Sequence, residues 1–457
     1  MTHATWTRII RGEMVPKQAA SDGDHPRSAA SGVPPARWEI ASPGALLAIL
    51  SLINFLNYVD RTVIGGLVPF LKDRENGLGL SSSEVGLLQW AFMVVHSIAS
   101  IPLGYLADRY LRKRLIAIGV TLWSVATAMA GIARNFGQIF VARAAVGIGE
   151  ATYAPAASAL ISDRFPESKR ARAMGIFQLG TVLGGAVGFI AGGAVAKAWG
   201  WRAAFYVVGL PGLLLSILVL FVHERDPAPA EGADKPSLTL RIPIGVPTSI
   251  SAIMWIVTAG IMTSFFTGAL QTWAPAFVLR ALFGGDKMRI NEANLRFGPI
   301  VLVAFLLGTF AGSFVADRLE ARYPGRGRLL TCAGSILVAA PCVAVAFLAH
   351  TAWVIYPMLA LGCFFAVFYA GPILAALHDV VPAELRATAT GAYFFAIHAL
   401  GDSVSPWLVG KIDDMTHSLR HGLLVATGVF LLAGFAALAA IPGARRVAEL
   451  KAQVAGE

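Results

Sequence analysis

The chain has 457 residues, 56% of them hydrophobic and only 14% charged, with a formal net charge of +10. A soluble domain carries roughly 25% charged residues, so these values exclude one, and the lack of short alternating segments excludes a membrane β-barrel. The positive charge lies in short loops between apolar runs rather than in a basic folded domain, which excludes nucleic acid as a partner.

Residues 1–43 are rich in Ser, Pro, Ala and charge, without an apolar core before a cleavage site. They read as a disordered tail, not a secretory leader, and Arg8, Arg11, Arg27 and Arg37 place it on the cytoplasmic side. Hydrophobic segments follow at 44–71, 84–106, 114–133, 136–160, 172–197 and 201–222, most of them long enough to cross a bilayer. A polar stretch at 223–248, with Pro227, Pro229, Glu231, Asp234, Lys235 and Pro236, reads as a cytoplasmic linker. Six more segments lie at 249–281, 294–316, 328–349, 353–377, 388–410 and 420–441, before a basic cytoplasmic tail at 442–457.

Alternate loops carry the cations: Arg109, Arg112, Lys113 and Arg114; Arg164, Lys169, Arg170 and Arg172; Arg318, Arg322, Arg326 and Arg328. By the positive-inside rule these loops and both termini share the cytoplasmic side. Asp163, Pro166, Arg170, Ala171, Ala173 and Gly175 recur as Asp379, Pro382, Arg386, Ala387, Ala389 and Gly391, an offset of 216 residues. Asp108-Arg109 recurs as Asp317-Arg318, offset by 209. Inner loops map onto inner loops, so the fold class is an all-α integral membrane protein of 12 transmembrane helices in two parallel six-helix repeats. The bundles are 44–222 and 249–441, with a substrate site expected near the midplane between them.

The first segment holds Asn57-Tyr58-Val59-Asp60-Arg61, two adjacent charges near the expected membrane centre. A charge there costs at least about 2.5–3.5 kcal/mol on insertion scales, so it marks function by default. In the fourth segment Arg143 and Glu150, seven residues apart, share a helix face about 10 Å apart along the axis. Counting from the inner helix ends predicts Asp60 facing Arg143 and Arg61 facing Glu150, a neutral four-charge network. Protonating a carboxylate leaves an arginine uncompensated, so the network can couple protons to an anion; the bland alternative is a static brace between two helices.

His398 and Asp402 form an i, i+4 pair, either a second proton site or part of the cavity, and equally a packed or water-facing pair. His96 reads as a satisfied core histidine. Asn57, Tyr58, Gln89, Tyr153, Gln178, Thr267, Gln271, Tyr369 and Tyr393 are further candidates to line the cavity, and Phe265, Phe266, Phe364, Phe365, Phe394 and Phe395 to house an apolar tail. Asp108, Arg109, Arg112, Asp317 and Arg318 read as parts of a cytoplasmic gate. Gly180, Gly184, Gly185, Gly188, Gly192 and Gly193 have the spacing of a close-packing stripe. Cys332, Cys342 and Cys363 form no close ligand pair, and no phosphate loop or nucleophile–base set occurs. No metal, cofactor, ATP-driven pumping or enzyme chemistry is therefore expected.

Gly104-Tyr-Leu-Ala-Asp108-Arg109-Tyr-Leu-Arg112-Lys113-Arg114 resembles the loop motif between helices two and three of the major facilitator superfamily, with Leu111 where that family carries glycine. Asn57-Tyr58-Val59-Asp60-Arg61 and Gly147-Ile-Gly149-Glu150-Ala151-Thr152-Tyr153 resemble its spinster-like branch, over about residues 45–440. The resemblance implies a proton-coupled transporter working by alternating access on an amphipathic anionic lipid, such as a lysophospholipid or sphingosine phosphate, as a monomer in the cell (inner) membrane. The alternatives are a proton symporter of a small organic anion, a membrane-embedded enzyme and a non-transporting receptor.

Overall fold

A computed structural model describes residues 40, 42–107, 111–224, 247–382 and 385–455. Asp108 and Arg109, nearly all of the expected linker and nearly all of the N-terminal tail lie outside the described residues. The first half comprises α1 (Pro43–Leu71), α2 (Ser82–Ala107), α3 (Arg112–Gly131), α4 (Phe136–Ala151), α5 (Tyr153–Arg164), α6 (Glu167–Trp199) and α7 (Trp201–Leu220). The second comprises α8 (Pro247–Phe283), α9 (Ile290–Arg322), α10 (Gly327–Leu348), α11 (Ala352–Ala366), α12 (Ala370–Val380), α13 (Arg386–Ile397), a π-helical turn (His398–Asp402), α14 (Val404–Thr416) and α15 (Leu419–Ala455). Among the described residues the only β pairing is the isolated bridge Ile40–Val222.

Ten helical stretches among the described residues are long and apolar enough to cross a membrane. The fourth and eleventh positions are filled by interrupted segments, α4–α5 and α13–α14, and the tenth, α11–α12, is also broken. Each break has a proline within about a turn after it. Pro155, Pro372 and Pro406 lack the N–H that would bond the carbonyl four residues back, and those carbonyls belong to Ala151, Phe368 and Asp402. The breaks therefore fall beside Glu150 and at Asp402 itself.

The stretch from residue 442, expected to be a basic tail, is the helical continuation of α15 to Ala455. Its Ala, Leu, Glu and Lys favour helix. Arg445 Nε bonds Glu449 Oε1 (2.6 Å), and Lys451 Nζ donates to the Asp379 carbonyl (2.6 Å), so the extension is pinned to its own half.

The glycine stripe on α6 lays that helix against α1. A Cβ on Gly180 would lie 2.7 Å from the Ser51 carbonyl, and one on Gly188 2.6 Å from that of Val59. Only glycine permits that approach, which holds the Asp60–Arg61 helix against α6. Gly193 instead faces Asn291 and Asn294 of α9, in the other half.

The halves are joined at the ends away from the basic loops, between α2 and α14, α6 and α9, and α1 and α8. Asp414 accepts from the Ser82 and Ser83 amides, both at 2.8 Å, and so caps the start of α2 across the interface. Asp413 takes Arg280 of its own half at 2.7 and 3.1 Å, and from the first half Lys72 at 3.3 Å and the Ser82 hydroxyl. Asn294 Nδ2 donates to the Phe189 carbonyl (2.8 Å), and Lys287 bonds Asp73. That hydrogen bond holds the Asp73 carboxyl below its ordinary range, and burial pushes the Lys72 amine down.

Candidate functional site

The site starts from α1. Asp60 is 1% exposed and accepts from Arg143 Nη1 at 2.9 Å and from the Thr127 hydroxyl of α3. Arg61 turns to Glu150, with Nε 2.7 Å from Oε2. The two ion pairs bridge α1 and α4, and Gly147, between Arg143 and Glu150, lets α2 approach α4 beside them. A Cβ there would sit 2.5 Å from the Phe92 carbonyl and 3.0 Å from the His96 amide. Phe92 fills the space beneath, its ring 5.0 Å from the Arg143 guanidinium and 5.3 Å from that of Arg61, so each cation also meets a π face.

The pairs differ in access. The Arg143 and Asp60 side chains are 0% and 2% exposed, whereas Arg61 is 18% exposed over a Glu150 that is 0% exposed. Glu150 Oε1 and Arg143 Nε and Nη2 are buried without a protein hydrogen-bond partner. The Arg61–Glu150 pair is thus the one that can open toward the gap between the halves.

Two residues enter the cluster that the sequence reading did not put there. Thr127 carried no charge signal and is found only through its bond to Asp60. His96, expected to be a satisfied core histidine, instead has Nε2 3.1 Å from Arg61 Nη2, while its Nδ1 is buried without a partner. Its helical spacing of four from Phe92 was the available signal.

Across the gap, His398 Nδ1 and Asp402 Oδ2 are 2.7 Å apart on the π-helical turn, and the His398 ring meets that of His96 edge-on at 6.5 Å. Phe394 stacks against His398 at 6.2 Å, and Phe394 and Phe395 are exposed. Tyr58 lies under the Arg61 guanidinium at 5.1 Å, and Asn57 is buried with Nδ2 unpartnered.

The remaining cavity candidates divide. Gln89, Thr267 and Tyr369 are half-buried, and Gln178 and Gln271 are exposed. Tyr153 is not brought to the gap. It is 1% exposed in the first-half core, donates to the Leu50 carbonyl, and packs on Trp123 and Phe177 at 5.8 and 6.1 Å. Tyr393 is likewise packed, against Gly260 of α8. Phe266 is core, stacked on Phe430 at 4.3 Å.

Of the expected gate residues, Arg112 bonds Asp163 of its own half, and its amide donates to Glu224 Oε1 at 2.9 Å. Asp317 and Arg318 are exposed, Arg318 lying over Phe314 at 4.1 Å. The contacts described for Arg112 and Arg318 lie within their own halves, and that of Arg112 braces loops of the first bundle.

Against known proteins, residues 50–406 match the family model "Major Facilitator Superfamily". The chain belongs to the major facilitator superfamily, in its spinster group. "Protein spinster" of Drosophila melanogaster is 32% identical over 387 residues, covering 82% of this chain, which spans 62% of that protein's length. "Probable sphingolipid transporter spinster homolog 1" of Arabidopsis thaliana is 29% identical over 459 residues, covering 90% of this chain and 91% of the relative. A bacterial homolog of the human lysosomal transporter spinster, solved in an inward-facing, unoccupied conformation, superimposes with a TM-score of 0.70 at 22% identity, covering 90% of this chain and 98% of that one. This spinster-group chain is therefore a multi-pass membrane transporter and not an enzyme.

Proposed function

We propose that the protein is a proton-coupled transporter of an amphipathic anionic lipid, of the lysophospholipid or sphingosine-phosphate type. It works as a monomer in the cell (inner) membrane, with its basic loops and termini cytoplasmic. The reading rests on the unequal exposure of Arg61 and Glu150. While Glu150 is ionised, the two charges cancel. When it takes a proton, the partly exposed guanidinium faces the gap with no counter-charge, and an anionic headgroup can supply one. Asp60–Arg143 stays sealed and keeps α1 on α4 during the exchange. The exposed Phe394 and Phe395 offer apolar surface to an acyl chain, and the name of the Arabidopsis relative supports a lipid substrate.

Alternating access then requires the contacts away from the basic loops, at Asp413 and Asp414, to open as the basic side closes. Asp108, Arg109, Arg112, Asp317 and Arg318 are proposed to serve that closure.

The test is flux in proteoliposomes with a fluorescent lysophospholipid and, in parallel, radiolabelled small carboxylates, under imposed pH gradients. Lysolipid flux driven by the gradient in wild type, and no longer driven in Glu150→Gln, is expected. Lysolipid movement that ignores pH would remove the proton coupling, and uptake of small carboxylates alone would replace the lipid with a small organic anion.

A further inference from the structure

His96 joins the two halves at the central site, and the mechanism above leaves it unused. It sits on α2, its Nε2 within 3.1 Å of Arg61 Nη2. A guanidinium has donors and no acceptor, so Nε2 must be the bare nitrogen and the ring neutral, with its proton on Nδ1. That Nδ1 is buried and unpartnered. The charged and titratable groups around the ring are Arg61 from α1, Arg143 and Glu150 from α4, and His398 and Asp402 from the π-helical turn opposite. Asp402 Oδ1 is buried there without a hydrogen-bond partner.

This geometry makes two events exclusive. While Arg61 holds Glu150, its Nη2 occupies the lone pair of His96, and a second positive charge on the imidazole would lie against a guanidinium. Once Arg61 turns from Glu150 to a substrate anion, Nε2 is vacated. We propose that His96 is a second proton-exchange site of the transport cycle: neutral while Arg61 is paired with Glu150, and protonated at Nε2 when Arg61 leaves.

In each cycle one proton binds a Glu150 oxygen and one binds His96 Nε2. Both are returned to water when Arg61 swings back, on whichever side the gap then faces. The two added charges are the neutralised carboxyl and the imidazolium, the latter facing the Asp402–His398 pair across the gap. The inference rests on the proton-coupled reading above.

The experiment compares wild type with His96→Gln in proteoliposomes loaded with the fluorescent lysophospholipid. The glutamine Oε1 can accept from Arg61 as Nε2 does, but it cannot titrate. The acid limb of gradient-driven flux should lose one proton, changing by about tenfold per pH unit where the wild type is steeper. An unchanged slope and midpoint in His96→Gln, with a pH-dependent wild type, overturns the His96 role and leaves Glu150 coupling standing. Wild-type flux that ignores pH overturns both.

Where His96→Gln does not fold, nitrogen NMR of histidine-labelled wild type and Arg61→Leu in nanodiscs decides the matter. One histidine is expected as the neutral Nδ1–H tautomer in wild type, with its nitrogen signals and their pH response changed once the guanidinium is gone. No histidine changing between the two proteins overturns the proposal.

Discussion

At the start of the third crossing helix of the first half, Arg112 bonds Asp163 at the end of the fourth; 216 residues on, Arg328 bonds Asp379 in the same way. The break in the fourth crossing segment at Thr152 recurs at the same offset in the tenth, at Phe368. Yet Arg143 maps by that offset onto Leu359 and Glu150 onto Ala366, both buried in the second-half core. The halves share loop braces and proline breaks, but the buried ion pairs belong to one of them. The second half instead places His398 and Asp402 in its fifth segment, where the first half has the glycine-rich α6. The duplicated contacts brace the loops of each half alike, while the unduplicated charges at the centre make the halves chemically unlike.

The harshest way to break this difference is to give the first half the residue of the second. Arg143→Leu strands Asp60 in a site where it is 1% exposed, and should cost about 3–5 kcal/mol. Thermal unfolding of purified protein measures it, and Asp60→Asn together with Arg143→Leu should recover most of the loss without restoring gradient-driven flux. A single variant as stable as wild type would show that the pair is not a brace.

The contacts that join the halves should respond less. Asp414→Asn weakens two hydrogen bonds from α2 amides to a charged acceptor, each of order 1.5–3 kcal/mol at most. Spin labels at Arg74→Cys and Met288→Cys should then populate longer distances. The same labels test acid. Asp73 is held below its ordinary value of 3.8 by its bond from Lys287, so this contact is fully present above that value and is lost as pH falls through the lowered one. Acid-induced lengthening should therefore shrink in Asp73→Asn; an identical acid response would take Asp73 out of the contact.

The smallest effect is predicted where the halves agree. In the two loop braces the carboxylates are 62% and 42% exposed, so Arg112→Ala and Arg328→Ala should each cost no more than about 1 kcal/mol. Unfolding midpoints should fall equally. A large cost on one side alone would mean that the braces are not equivalent.

Much of the fold was legible because membrane crossing imposes long apolar runs, and duplication leaves residues at a fixed offset. The pairing of α1 with α4 was legible too, since helix rise sets the heights of Asp60, Arg61, Arg143 and Glu150. Tyr153 was not: being amphipathic, it suits a cavity wall as well as a core, and the bend at Thr152 decides which it meets. The proline breaks were present in the sequence as Pro155, Pro372 and Pro406, each acting on the carbonyl four residues before it. Arg112 could not be assigned to a gate or a brace from its position, because loop charges reach several partners.

By itself the sequence determined the all-helical membrane class and the order of the apolar segments, and which charges had to find counter-charges, because unpaired charge in an apolar medium is too costly to leave to chance. The tertiary structure alone decided which of those pairs is sealed and which touches the gap, and that His96 stands with Arg61 rather than in the core. The physical reason is that exposure and hydrogen-bond partners depend on how two helices approach, here on the absent Cβ of Gly147, and not on spacing along either one.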